Sequence, residues 1–209
     1  MNRLGILDRD IVLKKIFEPQ NIDEDLAWLL GVVCGDGCLE KYRKCHYRIS
    51  LSTIDKKFAK TFIEKINKVF HLNEKFKNRV VTNNNKSRYY KVQIDGKNLY
   101  NFFMKFGPFG SFKWRVPNQI LNSSLKIKNS FLKGFYDSEG SINSYRKNYK
   151  KIRAVSVNRV GLKGVLKLLN DNGIEINLIE EKNCYSLNIY REEHINTFNN
   201  SVGFSFKNR

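Results

Sequence analysis

Proline is scarce in this chain, with three residues in 209. There is no low-complexity tract either, so long disordered linkers are not expected, and the length suits one large or two small cores. No stretch approaches the roughly 18 uninterrupted apolar residues of a membrane span. The first twenty residues interleave Asp8, Arg9, Asp10, Lys14 and Lys15 with their apolar positions and contain no secretory h-region. The protein is therefore expected to be intracellular, in cytoplasm or an organelle. Cysteine is also sparse: Cys34, Cys38, Cys45 and Cys184 form no CxxC pair, so reduced structural thiols are expected. A zinc site through Cys34, Cys38, Cys45 and His46 would lack the paired spacing such sites use, although Cys34 and Cys38 would stand one turn apart at a helix end. The last shortage is of acid. Against 38 Lys+Arg stand 20 Asp+Glu, a net charge of +18 and a pI of about 9.8. That surplus is the electrostatic footprint of a protein that neutralises phosphates. An anionic membrane would be the other basic-protein partner, but no amphipathic basic helix or lipidation signal stands out. Nucleic acid is the expected partner, and no membrane.

What the chain does have is a repeated phrase. Leu29-Leu30-Gly31-Val32-Val33-Cys34-Gly35-Asp36-Gly37 returns as Leu132-Lys133-Gly134-Phe135-Tyr136-Asp137-Ser138-Glu139-Gly140. Each reads as an apolar helix with a small residue at i and i+4, closed by an acid and a glycine. Gly31 with Gly35, and Gly134 with Ser138, fall on one helical face, leaving a bare stripe where another backbone can lie close. Two such helices fit each other. The acids then need an explanation, because a carboxylate near the negative end of a helix dipole is disfavoured by roughly 0.3–1 kcal/mol. Pairing the helices would also bring two anions together. A divalent cation shared by Asp36, Glu139 and the helix-end carbonyls turns both penalties into attraction, with the hard oxygen ligands Mg²⁺ prefers. One such acid is an ordinary C-cap before a C′ glycine; two on the same small-residue pattern read as a repeat signature.

The elements around each phrase repeat as well. After Gly37, strand-like alternation runs over Tyr47, Ile49 and Leu51, and Asp55 caps a helix with Phe58, Phe62, Ile66 and Val69 on one face. Strands are expected over 75–82 and 88–95 around an Asn83–Ser87 turn, then a helix from Gly96 with Leu99, Phe102, Phe103 and Phe106 as its stripe. In the second half Ser123 or Ser124 caps the motif helix, and 141–149 with 151–158 form a hairpin. Leu162, Leu166 and Leu169 line the next helix. Strands follow at 175–181 and 185–190, then a helix over 192–200. The fold class is α+β, built from two αββαββα repeats, with a leader over 1–22 and repeats over 23–116 and 117–209.

On these motifs the chain resembles the LAGLIDADG homing endonucleases, in the single-chain form with two motifs, and the resemblance extends from about Asp23 to the C-terminus. It implies a pseudo-dimer around paired motif helices, with antiparallel sheets forming a saddle on duplex DNA. It further implies a monomeric, site-specific endonuclease that hydrolyses phosphodiesters with Mg²⁺ or Mn²⁺. Asp36 and Glu139 would hold the metal, aided by the carbonyls of Gly35 and Ser138, and the product would be a double-strand break with a short 3′ overhang and 5′ phosphates. A second echo pairs Gly110-Ser111-Phe112-Lys113-Trp114-Arg115 with Phe204-Ser205-Phe206-Lys207-Asn208-Arg209. In the family a lysine at this point of each half lies near the metal, so the resemblance assigns that role to Lys113 and Lys207.

Basic residues on the expected hairpins are candidate DNA contacts: Lys41, Arg43, Lys44, Arg48, Arg79, Arg88 and Lys91 in the first half, and Arg146, Lys147, Lys150, Lys151, Arg153, Lys182 and Arg191 in the second. Interleaved Tyr42, Tyr89, Tyr90, Tyr145, Tyr149 and Asn84 offer donors and flat surfaces. Most such contacts go to phosphate and sugar rather than to base edges. An intron-encoded enzyme is expected, and its host intron RNA is a second candidate partner. The alternative on the same fold is a non-cleaving RNA maturase or DNA-binding regulator, where the carboxylates are often lost; retention of both acids favours the nuclease.

Overall fold

The structure is a computed structural model that describes residues 16–42, 46–72, 79–82, 89–145 and 149–206. Helix α1 (Glu24–Gly35) begins at Asp23, whose carboxylate accepts the Leu26 N–H at 2.8 Å, and Glu24 and Asp25 in its first turn face the positive end of the dipole. Every residue from Leu26 to Cys34 is buried, so the helix is enclosed on all sides and its sequence is apolar without a polar stripe. Its partner α5 (Leu125–Glu139) is exposed at Leu125 and buried through most of 131–137. Ser124 stands at its N-cap without a side-chain cap bond. The Ser123 hydroxyl instead donates to the Ile120 carbonyl at 2.8 Å, closing a short helix α4 (Asn118–Leu121) that no sequence pattern announced.

Each of α1 and α5 runs directly into a four-stranded antiparallel sheet. The first holds β1 (Gly37–Tyr42), β2 (His46–Thr53), β3 (Arg79–Thr82) and β4 (Tyr90–Asp95) in the order β1-β2-β4-β3. The second holds β5 (Gly140–Tyr145), β6 (Tyr149–Ser156), β7 (Leu178–Glu180) and β8 (Tyr185–Ile189) in the order β5-β6-β8-β7. Gly37 pairs with Leu51 and Gly140 with Ala154, so both sheets start in the same register on the residue after the acid. Alternation then sends Ile49, Leu51, Val92 and Ile94 into the core of one half and Ile152, Ala154, Leu187 and Ile189 into that of the other.

Helices α2 (Lys56–Phe70) and α3 (Lys97–Met104) cover the core face of the first sheet, and α6 (Arg159–Asn170) that of the second. The expected stripe of α2 is buried, and Asp55 caps it through the N–H groups of Lys57 and Phe58. Helix α7 (Glu192–Ser201) sets Phe198 edge-on to Tyr136 of α5, centroids 4.7 Å apart. The buried side chains of both halves form one continuous core. This is the α+β fold of two repeats.

Three expectations shift. The strand foreseen over 175–181 is reduced to Leu178–Glu180, because Ile174 is drawn into the core by the turn that ends α6. Lys150, foreseen between two strands, already belongs to β6, opposite Ser144. Cys38 does not share a helix with Cys34: the chain leaves α1 at Asp36, and Cys38 is on β1 opposite Ser50.

Candidate active centre and nucleic-acid surface

The glycine stripes meet as the sequence implied. A Cβ at Gly31 would lie 2.1 Å from the Phe131 carbonyl oxygen, and one at Gly134 would lie 2.1 Å from that of Trp28. Gly35 comes equally close to Ser138. Residues 28, 31 and 35 thus meet 134, 131 and 138, which makes α1 and α5 parallel and carries both acids to the same end. In the repeat register Trp28 corresponds to Phe131, so the two closest approaches are images of one another across a pseudo-twofold axis.

At that end Asp36 is the exposed C-cap of α1, its N–H returning to the Val32 carbonyl, and Glu139 is the last, half-buried residue of α5. A Cβ on Gly35 would sit 2.9 Å from Glu139 Cγ, so the second acid leans over the end of the first helix. The Ser138 hydroxyl donates back to the carbonyls of Phe135 (2.9 Å) and Gly134 (3.1 Å), turned onto its own helix. The glycine after each acid makes a tight exit: a Cβ would be 2.4 Å from Val33 Cα at Gly37 and 2.6 Å from the Tyr136 carbonyl at Gly140. Among the described residues no three His, Cys, Asp or Glu side chains converge as a complete metal cage. Two carboxylates at adjoining helix ends fit a hard divalent ion whose remaining ligands are water and substrate phosphate, the mode Mg²⁺ favours.

A cavity of about 290 Å³ opens beside Asp36, walled by Ser52, Thr53, Ile54 and Asp55 from the β2–α2 turn and by Phe58, Tyr89, Asp137 and Phe206. Asp137 is the functional candidate that sequence reading passed over. It is 4% exposed, accepting the Trp28 Nε1–H at 2.9 Å and the Ser205 backbone N–H at 2.7 Å. Burial pushes its carboxyl above the ordinary range, against the pull of those two donors. A lone acid inside the apolar run Phe135-Tyr136-Asp137 was the available signal. The same repeat position in α1 is Cys34, buried, its thiol pushed up by desolvation and 3.7 Å from the Arg115 carbonyl. Lys113 is exposed, in a turn closed by its own N–H to the Gly110 carbonyl. Lys207 lies outside the described residues.

Strand register sorts the basic candidates by face. Arg48 and Lys91 lie on the outer face of the first sheet, opposite Asp95 and Ser52, and Arg79 is at the position opposite Gln93. Lys151 and Arg153 occupy the outer face of the second. Lys41 and Lys150 fall on the other parity, near strand ends; the Lys41 ammonium is 5.5 Å from the centre of the Tyr47 ring. Lys182 and Arg191 are exposed, Arg191 at the N-cap of α7 and 3.8 Å from Glu193. Arg43, Lys44, Arg88, Arg146 and Lys147 lie outside the described residues.

The outer faces are not simply cationic. Arg48 makes two bonds to Asp95, at 2.7 and 3.0 Å. Arg153 grips both oxygens of Glu181 at 2.6 and 2.7 Å, Ser186 adds a third bond at 2.6 Å, and together they hold the Glu181 carboxyl down to about 2. Each arginine is therefore held in a fixed orientation by a nearby acid, Asp95 on β4 in one half and Glu181 just past β7 in the other.

A family model described as a LAGLIDADG-like domain matches residues 23–107 and 126–203. An uncharacterized protein of Methanocaldococcus jannaschii, MJ0314, is 31% identical over 78% of this chain, which spans 60% of that protein's length. Homing endonuclease I-DmoI of Desulfurococcus mucosus is 25% identical over 84% of this chain and 86% of its own. The crystal structure of I-DmoI in complex with DNA and Mn superposes with a TM-score of 0.62 at 21% identity, covering 86% of this chain and 96% of that one.

Proposed function

The chain belongs to the LAGLIDADG homing endonuclease family, and on that premise we propose that it is a site-specific DNA endonuclease acting as a monomer on a long asymmetric duplex. The observation that carries this reading is the parallel α1–α5 pair, which brings Asp36 and Glu139 to one helix end between two outward-facing sheets. A single chain holding both halves of the centre needs no second copy, and halves with different side chains suit a target whose two half-sites differ.

In this reading the outer faces of the sheets lie along the major groove on either side of the centre, a groove that a β-ribbon fits. Arg48, Lys91, Lys151 and Arg153 supply phosphate or base-edge contacts there, the two arginines already oriented by Asp95 and Glu181. Asp36 and Glu139, with the carbonyls of Gly35 and Ser138, would hold the divalent metal; structures of I-DmoI are in complex with DNA and Mn or Ca, and that of a variant with its target DNA is in the presence of Mg. Bound there, Mg²⁺ or Mn²⁺ would supply an activated water and neutralise charge on the phosphate. The protein's own part is to orient each scissile phosphate on its acid, each acid serving mainly one strand. Lys113 and Lys207 stabilise charge or order the attacking water.

The test begins with a randomised duplex library and Mg²⁺, from which the cleaved site is recovered. Asp36→Asn and Glu139→Gln keep shape and remove a ligand oxygen, so each should still bind that site while failing to cut a supercoiled plasmid on both strands. Full double-strand cleavage by either variant would overturn the assignment. Binding should also weaken by roughly 10³–10⁵ between about 50 and 200 mM salt, as expected for about 6–10 phosphate contacts. A salt-insensitive complex, or two chains per duplex, would count against a monomeric phosphate-reading enzyme.

A further inference from the structure

The segments that follow the last helix of each half are echoes in sequence but are anchored differently. In the second half three consecutive residues are held. Phe204 packs on Phe198, with centroids 5.5 Å apart; the Ser205 N–H donates to buried Asp137; and Phe206 sits 5.4 Å from Phe58 and 6.5 Å from Trp28. In the first half the matching Phe112 is 76% exposed, and the anchor comes after Lys113 instead. There Trp114 lies against Gly161, where a Cβ would be 2.6 Å from its ring, and its carbonyl accepts from the Asn158 amide at 2.6 Å.

Asp137 is central to the second anchor. Its Oδ2 accepts the indole N–H of Trp28 from the opposite motif helix, and its Oδ1 accepts the backbone N–H of Ser205. The motif-helix fold does not require an acid at this point, since the pseudo-symmetric position in α1 holds Cys34, equally buried. A carboxylate taken out of water is costly unless both oxygens are used, and here both are, by the Trp28 indole and by Ser205. The two donors join three pieces: the first motif helix, the second motif helix and the segment whose next residues are Phe206 and Lys207.

We propose that Asp137 is a positioning residue: its two-donor bridge between Trp28 and Ser205 fixes the path of the second segment, so that cleavage of one DNA strand depends on Asp137 and Trp28. This rests on the role given to Lys207 above, and it makes the two halves unequal: Lys207 follows in sequence a segment held by a carboxylate, whereas Lys113 precedes one held by a tryptophan.

The experiment measures single-turnover cleavage of each strand separately at saturating enzyme, with affinity and thermal unfolding on the same preparations, using the duplex recovered from the randomised library. Lys207→Met identifies the dependent strand. Asp137→Asn replaces one acceptor oxygen with an NH₂ group that faces an N–H donor, so it should slow that same strand by roughly 10- to 100-fold, the scale of a misplacement of about 1 Å, with the other strand and the affinity nearly unchanged. Trp28→Phe removes one donor, so the double variant Trp28→Phe/Asp137→Asn should recover part of the lost rate. If Asp137→Asn does not fold, Asp137→Cys places there the side chain that the first motif helix already accommodates, with the same expected strand-selective loss. Equal slowing of both strands, or no slowing where Lys207→Met slows one, overturns the positioning role and leaves the lysine reading intact. Lys207→Met without effect on either strand overturns both.

Discussion

The two halves share strand order and register, yet at the turn between the second strand and the next helix they are wired differently. In the first half Asp55 caps α2 with its carboxylate, and a cavity remains between that turn and Asp36. In the second half Asn158 occupies the equivalent place. It accepts the Gly161 N–H at 3.0 Å as a cap and donates to the Trp114 carbonyl at 2.6 Å, tying the inter-repeat segment down. An aspartate can do the first but not the second. The repeat therefore preserves backbone geometry where each glycine must meet the opposite helix's backbone, and diverges where a single donor or acceptor decides what docks.

The largest effect should come from the shared part. Gly31→Ala and Gly134→Ala each put a Cβ about 2.1 Å from a backbone carbonyl oxygen. Backbone cannot rotate aside as a side chain can, so each should cost at least the ~1–3 kcal/mol of overpacking and cleave neither strand. Denaturant unfolding of the pair checks the symmetry; a marked difference between them would break it.

A middle effect separates the halves. Asn158→Asp keeps the cap but sets a carboxylate oxygen against the Trp114 carbonyl, and should lose about 1–3 kcal/mol, as for a buried acceptor left without its donor. Asp55→Asn should cost only a few tenths of a kcal/mol, since both residues cap well. Equal losses in urea unfolding would mean that the Asn158–Trp114 bond does not distinguish the halves.

The smallest effect is one of pH. The Glu181 carboxyl is held down to about 2 by Arg153 first and Ser186 second. Its folded value lies below its unfolded one, so this contribution is complete above the usual carboxylate value of 4.5 and is lost as pH falls from there through about 2. Stability measured from neutral pH downward should fall less steeply in that window for Glu181→Gln than for the parent chain. An unchanged slope would show that Arg153 does not hold Glu181 in solution.

Much of this was legible in the amino-acid order. Period-2 and period-3.6 patterns are local, so the strands Tyr47-Ile49-Leu51 and the stripe Phe58-Phe62-Ile66 could be read directly, and the duplicated Gly-x-x-x-small phrase placed two acids at two helix ends. The short helix at Asn118–Leu121 escaped because four residues carry no period. Lys41 and Arg48, both candidate contacts, fall on opposite faces of the first sheet by alternation, and it takes the strand pairing to show it.

By itself the sequence determined that two like helices would pair through bare glycine faces, that both would end in acids, and that the surroundings would be basic, because each is a property of residue type and spacing. Only the tertiary structure decided that Trp28 and Asp137, 109 positions apart, share a hydrogen bond, that Arg48 and Arg153 come with their own carboxylates, and that one lysine segment is anchored by a carboxylate and the other by a tryptophan. Those are contacts between distant parts of the chain, and a donor finds its acceptor only once packing has brought the two backbones together.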